Sequence, residues 1–174
     1  GVKNIANITE KTLEKEDKAY SFGQLIHNRQ YVDQVRKKGL VEIEDLEDLE
    51  EGSTIIGRAH GVKKETKEKI IKLGHNYIDG TCPVLLKIYE KMIEEWKKGY
   101  RIIIVGDLDH PEVMALNSQV DYEAWIISSP EEAKNIQKLN NLYIISQTTN
   151  IYEKFFEISD IIKRRNVNVK VDNT

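Results

Sequence analysis

Apolar residues along this chain fall into two kinds of run, and the two kinds alternate. Short, nearly continuous runs read as buried strands. Longer stretches with apolar residues three or four apart read as amphipathic helices. From the amino end, Val2, Ile5, Ala6, Thr9 and Leu13 share one helical face over residues 2–15. Ala19-Tyr20-Ser21-Phe22 reads as a strand, followed by the loop Gly23-Gln24-Leu25-Ile26-His27-Asn28. A short helix with Tyr31, Val32 and Val35 inward stops at Gly39. Val41-Glu42-Ile43 is a brief strand, residues 44–52 are an acidic connector, and Thr54-Ile55-Ile56 is the next strand. A charged helix over residues 63–73 closes at Gly74, and Asn76-Tyr77-Ile78 is a further strand. The lysine and glutamate run that opens this helix reads as a solvated face with helical ion pairs.

The second half repeats the alternation. Pro83 suits a first helical position, where its missing N–H costs nothing. Leu85, Ile88, Tyr89, Met92, Ile93 and Trp96 then form one apolar stripe, ended by Gly99. Arg101 to Gly106 is a fully apolar strand, as expected in a parallel sheet covered on both faces. Ala124-Trp125-Ile126-Ile127 is another strand. Ser128-Ser129-Pro130-Glu131-Glu132 then follows a helix-start pattern of cap, proline and acidic first turn. Leu142 to Ile145 is a strand. The helix from Ile151 is expected to bury Tyr152, Phe155, Phe156, Ile158, Ile161 and Ile162, and Val167, Val169 and Val171 alternate as a last, half-exposed strand.

Strand-then-helix repetition predicts an α/β fold of two similar lobes, each a small, mainly parallel sheet flanked by helices. The division is expected at Cys82-Pro83, giving residues 1–82 and 83–174. No sequence repeat relates the halves.

Charged residues make up 32% of the 174 residues, both signs are mixed, and the net charge is −3. That balance gives no basic footprint for nucleic acid. No apolar run is long enough to span a bilayer. The single cysteine excludes an internal disulfide and fits a reducing, cytoplasmic setting. The chain opens at Gly1 directly into a helical pattern and closes at Asp172-Asn173-Thr174 directly after a strand pattern, so it is expected to be a piece of a longer protein.

In open parallel sheets, ligands bind beyond the carboxyl ends of the strands. His27, His60, Cys82, His110 with Glu112, and Gln147-Thr148-Thr149 all follow strand-like runs. His75, the remaining histidine, precedes a strand and is expected on the surface at the opposite edge. Imidazoles beside helix N-termini suit an anion such as phosphate. A glutamate near hydroxyls can relay protons. A thiol at a helix N-terminus is drawn towards thiolate and can ligate a soft metal, although for a lone cysteine taken by itself a buried structural thiol is the simpler reading. No Gly-x-Gly-x-x-Gly run and no Walker-type lysine is present.

Taken in order, Gly1-Val2-Lys3, Leu25-Ile26-His27-Asn28, Arg58-Ala59-His60-Gly61-Val62, Asp79-Gly80-Thr81-Cys82-Pro83, Gly99-Tyr100, His110-Pro111-Glu112-Val113 and Gln147-Thr148-Thr149 resemble the LytB/IspH family of 4-hydroxy-3-methylbut-2-enyl diphosphate reductases. The resemblance covers essentially the whole chain. It implies an enzyme of non-mevalonate isoprenoid biosynthesis that reductively removes a hydroxyl from an allylic diphosphate, giving isopentenyl and dimethylallyl diphosphates. It also implies a 4Fe-4S cluster, an electron donor such as ferredoxin or flavodoxin, and three lobes in a trefoil, two of them in this chain. By match of position, Cys82 is a cluster ligand. His27, His60 and His110 line the diphosphate pocket, Glu112 relays protons, and Thr148 lies near the substrate hydroxyl.

The family uses three cysteines. The other two are expected just before Gly1 and shortly after Thr174, and the third lobe is absent, so this chain alone is expected to hold no normal cluster and to be inactive. Ala115 and Ser118 stand where family members often carry glycine, so a reshaped loop is expected after Glu112. Two further readings compete: a non-catalytic anion-binding or interaction module, and a zinc site built from Cys82 and the histidines. The second lacks the close ligand pairs of structural zinc.

Overall fold

A computed structural model describes residues 2–172. Gly1, Asn173 and Thr174, on which part of the family match and the expected positions of the flanking cysteines rest, lie outside the described residues. The chain forms two compact units, Gly1–Leu86 and Lys87–Thr174.

The first unit contains α1 (Val2–Lys15), β1 (Ala19–Phe22), α2 (Arg29–Lys37), β2 (Leu40–Ile43), β3 (Thr54–Ile56), α3 (Lys64–Lys72) and β4 (Asn76–Ile78). Its four strands are all parallel, in the order β2-β1-β3-β4. Ile5, Ala19, Leu25, Val32, Val35, Leu40 and Ile56 make the core on one side. Leu46, Ile55 and Ile70 make a smaller cluster on the other. Removing such aliphatic side chains from water contributes about 1.5–3 kcal/mol each. Thr9 and Thr12, on the buried face of α1, return their hydroxyls to the carbonyls of Ile5 and Ile8 at 2.8 Å, which satisfies them without solvent.

α4 (Pro83–Lys97) leads into the second unit, which holds β5 (Arg101–Val105), α5 (Pro111–Ser118), β6 (Trp125–Ile127), α6 (Pro130–Asn135), β7 (Asn140–Ser146), α7 (Tyr152–Arg165) and β8 (Val167–Val171). These strands are again all parallel, in the order β6-β5-β7-β8. Numbered within each unit, both sheets have the order 2-1-3-4. The units thus share one topology without sharing a sequence repeat. Ile103, Val105, Leu142 and Ile144 face Phe155, Ile158 and Ile162 of α7. By alternation, Ile102, Ile104 and Tyr143 face the opposite side. α4 lies on that side, held by Lys170 Nζ to Glu95 Oε2 at 3.0 Å. Among the described residues no helix is long and apolar enough to cross a membrane.

Three expectations are corrected. His75 is buried, with 7% exposure, rather than on the surface. It follows Gly74 in a Schellman turn, with His75 N–H donating to Ile70 O at 3.2 Å and Gly74 N–H to Ile71 O at 3.0 Å. The residue after the glycine in that motif turns back over the last helical turn. Tyr152 and Phe156 are exposed, at 67% and 62%. Six apolar residues do not fit one stripe of α7; Phe155, Ile158 and Ile162 take the core face, Ile161 packs half-buried against it, and Tyr152 and Phe156 stack on each other with centroids 6.2 Å apart. Finally, the segment after Glu112 is helix rather than a reshaped loop. Ala115 and Ser118 lie in α5 without positive φ, and Ser118 Oγ donates to Ala115 O at 2.6 Å.

Candidate functional site

In each unit the strand order reverses direction between the first and third strands, β1/β3 and β5/β7. That is the topological switch point, where an open parallel sheet leaves a crevice at its carboxyl edge. The histidines, Glu112 and Thr148 singled out from sequence, His75 apart, lie on or just after the loops that flank these points, and Cys82 lies on the loop after the neighbouring β4.

In the first unit, Leu25 and Ile26 are buried and anchor the loop after β1, which leaves His27 exposed and Asn28 free to cap α2. Asn28 Oδ1 accepts from Tyr31 N–H at 3.1 Å. The loops after β1, β3 and β4 continue the sheet's bonding beyond the strands. Ala59 N–H donates to Leu25 O at 3.2 Å and Cys82 N–H to Ala59 O at 3.0 Å. His27 and His60 are thereby brought together, with ring centroids 4.5 Å apart and planes at 55°. Two imidazoles in this arrangement can present ring N–H donors to one anion.

Cys82 sits at the mouth of α4. Its carbonyl accepts from Leu86 N–H at 3.0 Å, so it is the N-cap, and Pro83 is the first helical residue. Burial raises the thiol pKa, but bonds from the backbone N–H groups of Val84 and Leu85 are among the effects that bring it below its ordinary value. The turn before it is built tightly. Asp79 Oδ1 accepts from Thr81 N–H at 2.9 Å. At Gly80 a methyl group would collide with the carbonyl oxygen of Gly57 and with Ile5 Cδ1, so only glycine allows the strand ends to close there.

In the second unit, His110 caps α5, its Nδ1 accepting from Glu112 N–H at 3.1 Å. An imidazole that accepts at Nδ1 carries its proton on Nε2. Pro111 takes the first position of the helix and Glu112 its first turn, where the helix dipole favours a carboxylate. Glu112 is 1% exposed, and both its oxygens are held by Thr148, from the loop after β7. Thr148 N–H donates to Oε1 at 2.7 Å, and Thr148 Oγ1 lies 2.7 Å from Oε2. Both distances are in the range of charge-assisted bonds.

Gln147 is the residue whose part the sequence did not disclose. It is buried; its Oε1 accepts from Asp107 N–H at 3.0 Å and its Nε2 donates to Thr149 Oγ1 at 2.9 Å. It laces the loop after β5 to the loop after β7, and so fixes Glu112 against Thr148. A methyl at position 106 would stand 2.7 Å from Gln147 Oε1, which explains Gly106. Asn150 adds a bond from Nδ2 to Val105 O at 2.8 Å. The only sequence signal for this lacing was the Gln-Thr-Thr string itself.

His27, His60 and Cys82 therefore belong to the first unit, and His110, Glu112 and Thr148 to the second. Cys82 is a suitable thiolate donor, but it is the chain's only cysteine, and among the described residues no group of three or more His, Cys, Asp or Glu could hold a metal ion. The residues present do not by themselves fit an iron–sulfur cluster, which is held by several thiolates.

Comparison with known proteins agrees with this architecture. A 4-hydroxy-3-methylbut-2-enyl diphosphate reductase of Thermoanaerobacter sp. (strain X514) is 39% identical over 167 residues, covering 94% of this chain and 58% of the relative. One of Geobacter sp. (strain M21) is 30% identical over 174 residues, covering 100% of this chain and 62% of the relative. The chain thus spans about three fifths of the length of these curated relatives. Among solved structures, that of (E)-4-hydroxy-3-methyl-but-2-enyl diphosphate reductase, described as the terminal enzyme of the non-mevalonate pathway, superposes with a TM-score of 0.84 at 29% identity, covering 98% of this chain and 62% of that one. The Plasmodium falciparum E-1-hydroxy-2-methyl-but-2-enyl-4-diphosphate reductase gives a TM-score of 0.91 at 24% identity, covering 99% of this chain and 55% of that one, a likeness of fold. The family model described as LytB protein matches residues 1–174, and the chain belongs to that family.

Proposed function

We propose that this chain carries the diphosphate-binding and proton-transfer residues of a cytoplasmic 4-hydroxy-3-methylbut-2-enyl diphosphate reductase. The observation that carries the reading is the buried Glu112 carboxyl, bonded through both oxygens to Thr148. Oε1 is occupied by a backbone N–H, which cannot give up its proton. Thr148 Oγ1 donates to Oε2 at 2.7 Å, so a proton that reaches the acid passes to the hydroxyl along this one bond as the hydroxyl hands its own proton on. The pair is thus a relay between a buried acid and a hydroxyl that can meet a substrate oxygen.

In this reading the substrate's allylic C–O bond breaks. Two electrons enter the allyl fragment, delivered one at a time by two molecules of a one-electron carrier of ferredoxin or flavodoxin type. One proton goes to the departing oxygen, which leaves as water, and a second goes to carbon, yielding isopentenyl or dimethylallyl diphosphate. Glu112 and Thr148 are the catalytic residues, and His27, His60 and His110 bind the diphosphate. Cys82 would supply one thiolate to the 4Fe-4S cluster that the reading includes, and the cluster would pass on the electrons. One cysteine cannot hold that cluster, so the chain by itself is inactive. The same shortage is what favours the second reading, a non-catalytic anion-binding module.

The test uses the protein extended to the length of its curated relatives and a low-potential chemical reductant. Glu112→Gln is expected to lower turnover of the allylic diphosphate by about 10²- to 10⁴-fold with KM little changed. Turnover at the level of the unmodified protein would remove Glu112 from the mechanism. Absence of turnover in the unmodified extended protein would favour the binding module.

A further inference from the structure

Arg58 is a half-buried cation without a counter-charge among the described residues. None of the ion pairs among the described residues involves it, and its Nε is enclosed with no hydrogen-bond partner. A charge withdrawn from water is ordinarily paired, and an orphaned buried donor calls for a cause. Desolvation pushes the guanidinium pKa down, with no neighbouring carboxylate to pull it back, yet arginine stays charged.

Its position supplies the cause. Arg58 follows β3, two residues before His60, and its head group crosses to the end of β1. A methyl at Gly23 would stand 3.2 Å from Arg58 Nη1. The bond from Ala59 N–H to Leu25 O holds the two loops together. The guanidinium therefore spans the β1/β3 switch point, on the two loops that carry His27 and His60.

We propose that Arg58 is the permanent positive charge of the anion site in the first unit, and that a diphosphate group engages it together with His27 and His60. This rests on the diphosphate-binding reading of those histidines. The chemistry favours it: guanidinium and phosphate form strong, geometrically specific pairs, and an imidazole pair alone offers no charge that is independent of pH.

Inorganic pyrophosphate, titrated calorimetrically into this chain, is the probe. Arg58→Gln is expected to weaken binding by about 10- to 100-fold. Arg58→Lys, which keeps the charge and loses the planar fork, should weaken it by less. Without pyrophosphate, Arg58→Gln should unfold at or above the temperature of the unmodified chain, because it removes an unpaired charge. A merely structural arginine would instead destabilise the chain when replaced. If His60→Ala loses pyrophosphate while Arg58→Gln binds within twofold of the unmodified chain, the diphosphate reading stands and the role of Arg58 is overturned. If the unmodified chain binds no pyrophosphate, both fall. If Arg58→Gln proves destabilised, Arg58→Lys decides: weakened binding at an unchanged unfolding temperature supports the proposal, and unchanged binding overturns it.

Discussion

Thr148 gives Glu112 two donors, and they differ in what a mutation can reach. The backbone N–H survives any substitution except proline. The hydroxyl does not. Thr148→Val leaves Oε2 of a carboxyl that is 1% exposed without its partner at 2.7 Å, while keeping the shape of the side chain. An unsatisfied buried acceptor costs about 1–3 kcal/mol, more when charged. Urea denaturation of the two variants should therefore separate them: Thr148→Val destabilised by about 1–3 kcal/mol, and Thr148→Ser, which retains the hydroxyl, much closer to the unmodified chain. Equal stability of all three would show that the hydroxyl bond contributes nothing to holding the acid. The residue types at this site were legible from sequence, because histidine, glutamate and hydroxyls recur where strand runs end. The pairing was not. Glu112 and Thr148 are 36 positions apart, and only the parallel register of β5 with β7, reinforced by Gln147, sets one against the other.

At the scale of elements, continuous apolar runs identified the central strands well, since Ile102 to Val105 and Leu142 to Ile145 have no other use than a doubly covered sheet. Helix faces were read less well where apolar residues exceed one stripe, as Tyr152 and Phe156 show. The reverse error is Glu95. It lies a turn beyond Met92 on the buried face of α4, at 5% exposure, and is kept there by Lys170 of β8 at 3.0 Å and Lys98 at 3.4 Å. The hydrogen bond from Lys170 is the main cause of a carboxyl pKa below the usual glutamate value. A depressed folded value means that the unfolded chain binds the proton more readily. Glu95 therefore stabilises the fold fully above the unfolded-state pKa, and this contribution disappears as pH falls through the lower, folded value. The unfolding midpoints of the unmodified chain and Glu95→Gln should differ most near neutral pH and converge on acidification below the ordinary carboxylate range. A difference that stays constant with pH would mean that packing, rather than charge, is what Glu95 supplies.

For the whole molecule, the α/β class and the parallel sheets were visible in the alternation of strand and helix patterns, but the shared 2-1-3-4 order was not, because topology leaves no trace in sequence when the paired side chains differ. That order places a switch point at the carboxyl edge of each sheet, and the loops of both edges carry residues that match the family's motifs by position. Cys82 is the exception to this completeness. Its place at a helix N-terminus, where the backbone N–H groups of Val84 and Leu85 favour the charged form, suits a metal-bound thiolate, yet no second cysteine exists in the 174 residues. Cluster uptake is therefore expected to depend on thiolates that this chain does not supply. Anaerobic treatment with iron and sulfide should leave this chain without visible cluster absorption. The protein extended to the length of its curated relatives should acquire that absorption, and Cys82→Ser should abolish it. Retention of a full cluster by Cys82→Ser would make the cysteine structural. A cluster assembled on this chain alone would show that histidines or carboxylates complete the ligand set, and would return the isolated chain to consideration as a metal-binding protein in its own right.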